Sequence, residues 1–87
     1  MTTLNDHIAI VTGAGAGIGK AIAHRLAKDG AKVIVHDINE ASAVAVAAEI
    51  VAAAGDATAF AGDVSNPDDV EATFAFCEAT YGECSLL

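Results

Sequence analysis

Basic residues are few. Four lysines and arginines stand against twelve aspartates and glutamates, for a formal net charge of −8. A nucleic-acid-binding domain needs a basic face to meet phosphates, so this balance argues against a polyanionic partner and chiefly favours solubility. Proline occurs once and tryptophan not at all, while 54% of the residues are hydrophobic. Such a chain packs rather than staying disordered. Its 87 residues suffice for one small domain with a modest core. No apolar run approaches the ~20 residues needed to cross a bilayer, so no membrane partner is expected. Residues 1–6 hold neither a basic nor an apolar stretch, so no secretion signal is expected and the location is read as cytoplasmic. Cys77 and Cys84, seven apart, fit neither a CxxC redox pair nor a zinc spacing, and reduced cytosolic thiols are the expectation. His7, His24 and His36 share no metal-ligand spacing, so no metal is expected.

What is present is organised around Thr12-Gly13-Ala14-Gly15-Ala16-Gly17-Ile18-Gly19. The apolar run before it, residues 7–12, predicts a buried strand. Residues 18–29 predict a helix, with Ile18, Ile22 and Leu26 as its inward stripe and Gly30 at its C-terminal end. Residues 32–37 predict a second strand, continuously apolar through Val33, Ile34 and Val35 as a strand covered on both faces is. Residues 40–54 predict an alanine-rich helix with Val44, Ala47, Ala48 and Val51 inward and Gly55 as its stop. Residues 57–62 predict a weaker third strand, since alanine is a poor strand former. A third helix starts at Pro67, capped by Asn66 or Ser65, with Asp68 and Asp69 in its first turn and Val70, Phe74, Cys77 and Tyr81 buried. Gly82 ends it, and residues 83–87 begin a further element. The order β-α-β-α-β-α implies an α/β chain, a doubly wound parallel sheet joined by right-handed crossovers.

On such a sheet ligands bind beyond the carboxyl ends of the strands. The glycine-rich loop, Asp37 and Asp63 all fall there. A strand that turns through glycines into a helix exposes unpaired amides and the positive end of a helix dipole, which is a site for phosphate. Gly13 suits the tight turn, Gly17 a close approach to a pyrophosphate, and Gly19 close helix packing. Asp37, twenty residues beyond Gly17, is placed to accept hydrogen bonds from ribose hydroxyls and to repel a 2′-phosphate. Its neighbour Ile38 and the loop residue Ala16 are not basic, so NAD is favoured over NADP. The plainer alternative is a solvated turn carboxylate. Asp63 and Val64 are placed to meet the amino group and the ring of adenine, the alternative for Asp63 being a loop acid ahead of the third helix.

Other candidates carry less. Residues 14–21 approach a triphosphate-binding loop, but position 21 is alanine where a hydroxyl must hold magnesium. Lys20 is therefore read as a surface residue, His24 as a solvated one, and His36 as a half-buried strand histidine or the edge of a pocket. Tyr81 has no lysine four residues later and reads as core.

With Thr12-Gly13-x-x-x-Gly17-Ile18-Gly19, Asp37 and Asp63-Val64 in this order, the sequence resembles the short-chain dehydrogenase/reductase family from about residue 6 to 82. The resemblance implies a Rossmann-type fold truncated to β-α-β-α-β-α, with residues 1–87 as a partial dinucleotide-binding domain. It implies that Gly13, Ala16, Gly17, Ile18 and Gly19 face the pyrophosphate, that Asp37 selects NAD, that Ile38 lines the adenosine site, and that Asp63 and Val64 touch adenine. It implies an oxidoreductase transferring hydride between NAD and a secondary alcohol or ketone, 3-oxoacyl reductase-like substrates included, often as a cytoplasmic oligomer. The family's catalytic Ser, Tyr-x-x-x-Lys and supporting Asn have no counterpart here, so no catalytic residue is assigned and the chain alone is expected to bind without turnover. The other reading is a non-catalytic folding or assembly unit, in which the first strand, residues 7–12, central in a full sheet, becomes an open edge and drives self-association.

Overall fold

The computed structural model describes residues 7–82 and 85–86. Expectations that fall on residues 1–6, on Cys84 and on the other residues outside these spans lie outside the described residues. The elements follow in the order β1 (Ile8–Val11), α1 (Gly17–Lys28), β2 (Lys32–Asp37), α2 (Glu40–Ala52), β3 (Asp56–Ala61), α3 (Pro67–Thr80) and β4 (Ser85–Leu86). The alternating order read from the sequence is the one observed, with β2 and the starts of α2 and α3 unchanged and the other ends moved by one or two residues. All strands are parallel, in the order β3-β2-β1-β4. β4 corrects the expected open edge of β1: it pairs Ser85 with Ala9 and Leu86 with Ile10. The stated basis for edge-driven self-association is thereby removed, because β1 is flanked on both sides.

The two-residue alternation of a strand sorts the core onto two faces. Val11, Val33 and Val35 pack with Ala23, Ala27, Ala43, Val46 and Ile50 of α1 and α2. Ile10 and Ile34 pack on the other face with Cys77 of α3. There, the rings of Phe60 and Phe76 stack at 4.7 Å. The Tyr81 hydroxyl donates to Asp56 Oδ1 at 2.9 Å and lies 3.1 Å from Thr58 Oγ1, so its ring is core but its polar end is tied to β3.

The helix faces depart from the expected stripes. In α1 the buried residues are Ala23 and Ala27, while Ile18 and Ile22 are exposed and Leu26 is only partly buried. The α1 side chains buried against the sheet and α2 are methyl-sized, and the larger isoleucines lie outward. In α2, Ala43, Val46, Ala47 and Ile50 face inward, and Val44, Ala48 and Val51 do not. That helix is apolar around most of its circumference, so spacing alone does not choose a face. In α3, Thr73 and Cys77 are fully inward and Val70, Phe74 and Tyr81 partly so. Ala54, with φ 70°, takes the left-handed position after α2; Gly55 is needed instead for space, since a Cβ there would stand 2.7 Å from Ile50 Cγ2. Cys77 is disulfide-bonded, which corrects the reduced-thiol expectation at that position. Rules built on reactive-motif spacing do not register a cysteine turned inward in the last turn of α3.

Candidate functional site

Backbone hydrogen bonds stitch the carboxyl ends of three elements together. The Ala14 N–H donates to the His36 carbonyl at 2.9 Å, holding the loop after β1 against the end of β2. The Gly62 N–H donates to the Asp37 carbonyl at 3.1 Å, holding the exit of β3 beside it. Residues far apart in sequence thus share one rim.

The glycines of the loop do different work. Gly13 and Gly17 lie in the left-handed region, at φ 63° and 58°, where residues with a Cβ are strained. Around Gly17 nothing stands within 4 Å of where a Cβ would be, so the space on that side of the loop is open. Gly19 packs against the loop itself, its missing Cβ facing the Gly13 carbonyl oxygen. The helix it belongs to starts differently from the other two. Asn39 caps α2 by accepting from the Ser42 N–H at 3.0 Å, and Asn66 caps α3 by accepting from the Asp68 N–H at 2.9 Å. Ala16, extended at φ −161°, gives α1 no side-chain cap, and no acid stands in its first turn. Its leading amides and the positive end of its dipole are not answered by a side chain.

Asp37 stands at the mouth of that loop. Its Oδ2 accepts from the Gly15 N–H at 2.9 Å and its Oδ1 from the Asn39 N–H at 2.9 Å. These amide donors, that of Asn39 foremost, hold its pKa below the ordinary carboxylate value. The carboxylate is ionised and aimed. Ile38 beside it is 72% exposed, Ile18 in the first turn of α1 is 81% exposed, and Val64 beyond β3 is 59% exposed. Three large apolar side chains left in water around one rim leave apolar area for a ring-bearing ligand to cover. Asp63 is engaged locally: its Oδ1 accepts from the Ser65 hydroxyl at 2.7 Å and the Ser65 N–H at 2.9 Å, which lowers its pKa. That turn leads the chain into α3.

His36 is 2% exposed, more deeply buried than a half-buried strand position. It faces the α3 side and, with Ile10, Val64, Val70 and Phe74, lines a cavity of about 280 Å³. Its Nδ1 is buried without a protein partner. Burial lowers its pKa against the opposing pull of Asp37 and Asp69. Because the folded value lies below the unfolded one, the stability this histidine permits is complete above about pH 6.5 and is lost as pH falls through the folded value. The urea midpoint is expected to be lower at pH 5.5 than at pH 7, and His36→Phe is expected to flatten that difference; an unchanged difference in the variant overturns the assignment. Asp37 and Asp63, also lowered, act only below their ordinary carboxylate range.

Lys20 and His24 are not simply solvated. Glu49 Oε1 lies 3.5 Å from Lys20 Nζ and 2.9 Å from His24 Nε2, joining α1 to α2. A larger cleft of about 430 Å³ runs between those helices near Arg25, Lys28, Ala53 and Gly55. It lies at the amino ends of β2 and β3, opposite the rim where ligands of such sheets bind. Among the described residues no group of His, Cys, Asp and Glu is placed to hold a metal ion, and no helix is long and apolar enough to cross a membrane. Sequence reasoning took Gly15 only as a residue suited to a dinucleotide turn, and gave Asn39 and Ser42 no part in the site. The contacts that bring Asn39 to Asp37 and Ser42 to Gly15 become visible only when α2 is placed against the loop.

Comparisons with known proteins agree with this architecture. The family model described as short chain dehydrogenase matches residues 7–87. Cyclohexanol dehydrogenase of Acinetobacter sp. (strain SE19) is 43% identical over 82 residues, covering 94% of this chain and 33% of that protein. The crystal structure of a hydroxysteroid dehydrogenase from Escherichia coli superposes with a TM-score of 0.94 at 40% identity, covering 98% of this chain and 36% of that one. A 7α-hydroxysteroid dehydrogenase complexed with NADH and 7-oxo glycochenodeoxycholic acid superposes with a TM-score of 0.93 at 40% identity, covering 97% and 33%. The chain spans about a third of the length of these relatives. With the family model matched over residues 7–87, relatives 40–43% identical and the fold superposed, this chain belongs to the short-chain dehydrogenase family of oxidoreductases.

Proposed function

We propose that this chain holds the adenosine-diphosphate part of NAD, and that it prefers NAD to NADP. The observation that carries the reading is the hydrogen bond from the Gly15 N–H to Asp37 Oδ2, which fixes an ionised carboxylate at the mouth of a helix start that has no side-chain cap. In this reading the amides of Gly17, Ile18 and Gly19, reached past Gly13 and Ala16, receive the pyrophosphate. Asp37 receives the adenosine ribose hydroxyls. Ile38 and Val64 cover the adenine, and Asp63 meets its amino group through carboxylate capacity not used by Ser65. The exposed apolar rim and the open space at Gly17 fit such a ligand. When bound, NAD supplies or accepts a hydride, the chemistry of the family acting on a secondary alcohol or ketone. What this chain's residues do is bind, orient and select. Its one tyrosine, Tyr81, has Ser85 four residues on, and its hydroxyl is engaged with Asp56, so binding without turnover is the expected behaviour of the chain by itself.

The test is a pair of titrations on the 87-residue chain. NAD is expected to bind saturably and NADP about tenfold or more weaker, a gap of ~1.4 kcal/mol or above. Asp37→Ala is expected to weaken NAD and narrow the gap, with helical content unchanged by circular dichroism. Equal affinities for the two nucleotides, or an Asp37→Ala variant that binds like the parent, would falsify the reading.

A further inference from the structure

We propose that Gly15 is a specificity-determining position: the absence of a side chain there, with the wall made by Ser42, lets the Asp37 carboxylate lie against the glycine loop, where it admits a ribose with a free 2′-hydroxyl and excludes one with a 2′-phosphate. The proposal rests on the cofactor reading above and adds to it the residues that position the acid.

The geometry is specific. A Cβ on Gly15 would stand 2.8 Å from Asp37 Oδ2, 3.0 Å from its Cγ and 2.7 Å from Ser42 Cβ. Gly15 is not among the glycines with positive φ, so its backbone accepts a side chain and only space forbids one. Ser42 cannot retreat, because its Cβ is attached directly to the first turn of α2. That turn is itself tied down: the Ser42 N–H donates to Asn39 Oδ1 at 3.0 Å, and the Asn39 N–H donates to Asp37 Oδ1 at 2.9 Å. Loop, acid, cap and helix form a closed ring of contacts. A new methyl group in that ring displaces the one part able to rotate, the carboxylate, and breaks its bond from the Gly15 N–H. Lys20, the basic residue nearest to Gly15 along the chain, is 3.5 Å from Glu49, so in this proposal selection against a 2′-phosphate depends on where Asp37 points.

The experiment is a double-mutant cycle on the full chain with Gly15→Ala, Asp37→Ala and the pair, titrating NAD and NADP against each. Gly15→Ala is expected to weaken NAD and shrink the NAD/NADP affinity ratio by about tenfold. In the Asp37→Ala background the same change is expected to alter the ratio by less than about twofold, because its effect passes through the acid. Carbon NMR of the Asp37 carboxyl supplies a readout that loosening elsewhere does not move: its titration shifts to higher pH in Gly15→Ala as the amide donor is lost. Gly15→Ala/Ser42→Gly removes the wall, keeps the test open if the single variant folds poorly, and is expected to regain most of the selectivity. Retained NAD binding with an unchanged ratio, an equal effect in both backgrounds, an unmoved Asp37 titration or no recovery with Ser42→Gly each overturns the proposal and leaves the cofactor reading standing. Absence of NAD binding in the parent chain overturns both.

Discussion

Replacing Gly19 with alanine is expected to lower the melting temperature of this chain by about 12–24 °C and to remove dinucleotide binding. Helix propensity alone argues the opposite, since alanine inside a helix is better than glycine by ~1 kcal/mol. The contacts decide the sign. A Cβ at position 19 meets the Gly13 carbonyl oxygen, and it stands 2.7 Å from the Gly13 carbonyl carbon and 3.2 Å from Ala14 Cα. Every one of these atoms is backbone, so no side chain can swing aside. The loop itself must move, at a cost of ~3 kcal/mol by the usual scale of overpacking. For a domain of this size each kcal/mol corresponds to about 4–8 °C. The amides of the cradle move with the loop, which is why binding is expected to go as well. Thermal unfolding followed by circular dichroism, with an NAD titration beside it, checks both parts. A variant that melts higher than the parent shows that propensity outweighs the contact.

The second large effect separates two isoleucines that composition treats alike. Ile34 is completely buried. It sits in β2 between Ile10 of β1 and Thr58 of β3 and packs under α3 with Cys77. Ile34→Ala is expected to cost ~2–5 kcal/mol, the transfer of the lost atoms plus the cavity they leave. Against a total of roughly 5–15 kcal/mol for a small domain, that is a large share of the whole, and at the low end of that range the upper loss leaves about half the population unfolded. Ile18, 81% exposed at the loop mouth, is expected to tolerate the same truncation within about 0.5 kcal/mol while losing affinity for NAD. Urea midpoints of the two variants decide the matter, and a destabilised Ile18→Ala chain restores Ile18 to the core.

Much of the candidate site was legible because its signals are local. The two left-handed glycines at 13 and 17 belong to a turn with one steric solution, and Asp37 ends a strand whose length follows from its apolar run. The start of α3 was nearly as readable: Pro67 stands in the first turn where its chemistry places it, and of the two cap candidates, Asn66 and Ser65, the structure takes Asn66. The faces of the helices were not. Hydrophobic spacing in α1 picked Ile18 and Ile22, both exposed, because the rule ranks side chains by size while close packing against the sheet selects alanine. A site that keeps apolar residues in water also misleads a rule that assigns them to the core.

The chain's own order of residues determined the alternation of strands and helices, the glycine turn into α1 and the carboxylate that faces it, since each follows from backbone sterics and charge within a few neighbouring positions. Only the tertiary structure decided that β1 lies between β2 and β4, that alanines rather than isoleucines line the inner side of α1, that His36 is buried without a partner for Nδ1, and that Ser42 backs the Asp37 carboxylate against Gly15. Those depend on distances between segments some twenty or more residues apart, which are set by how closely layers can pack and not by the preferences of any one stretch.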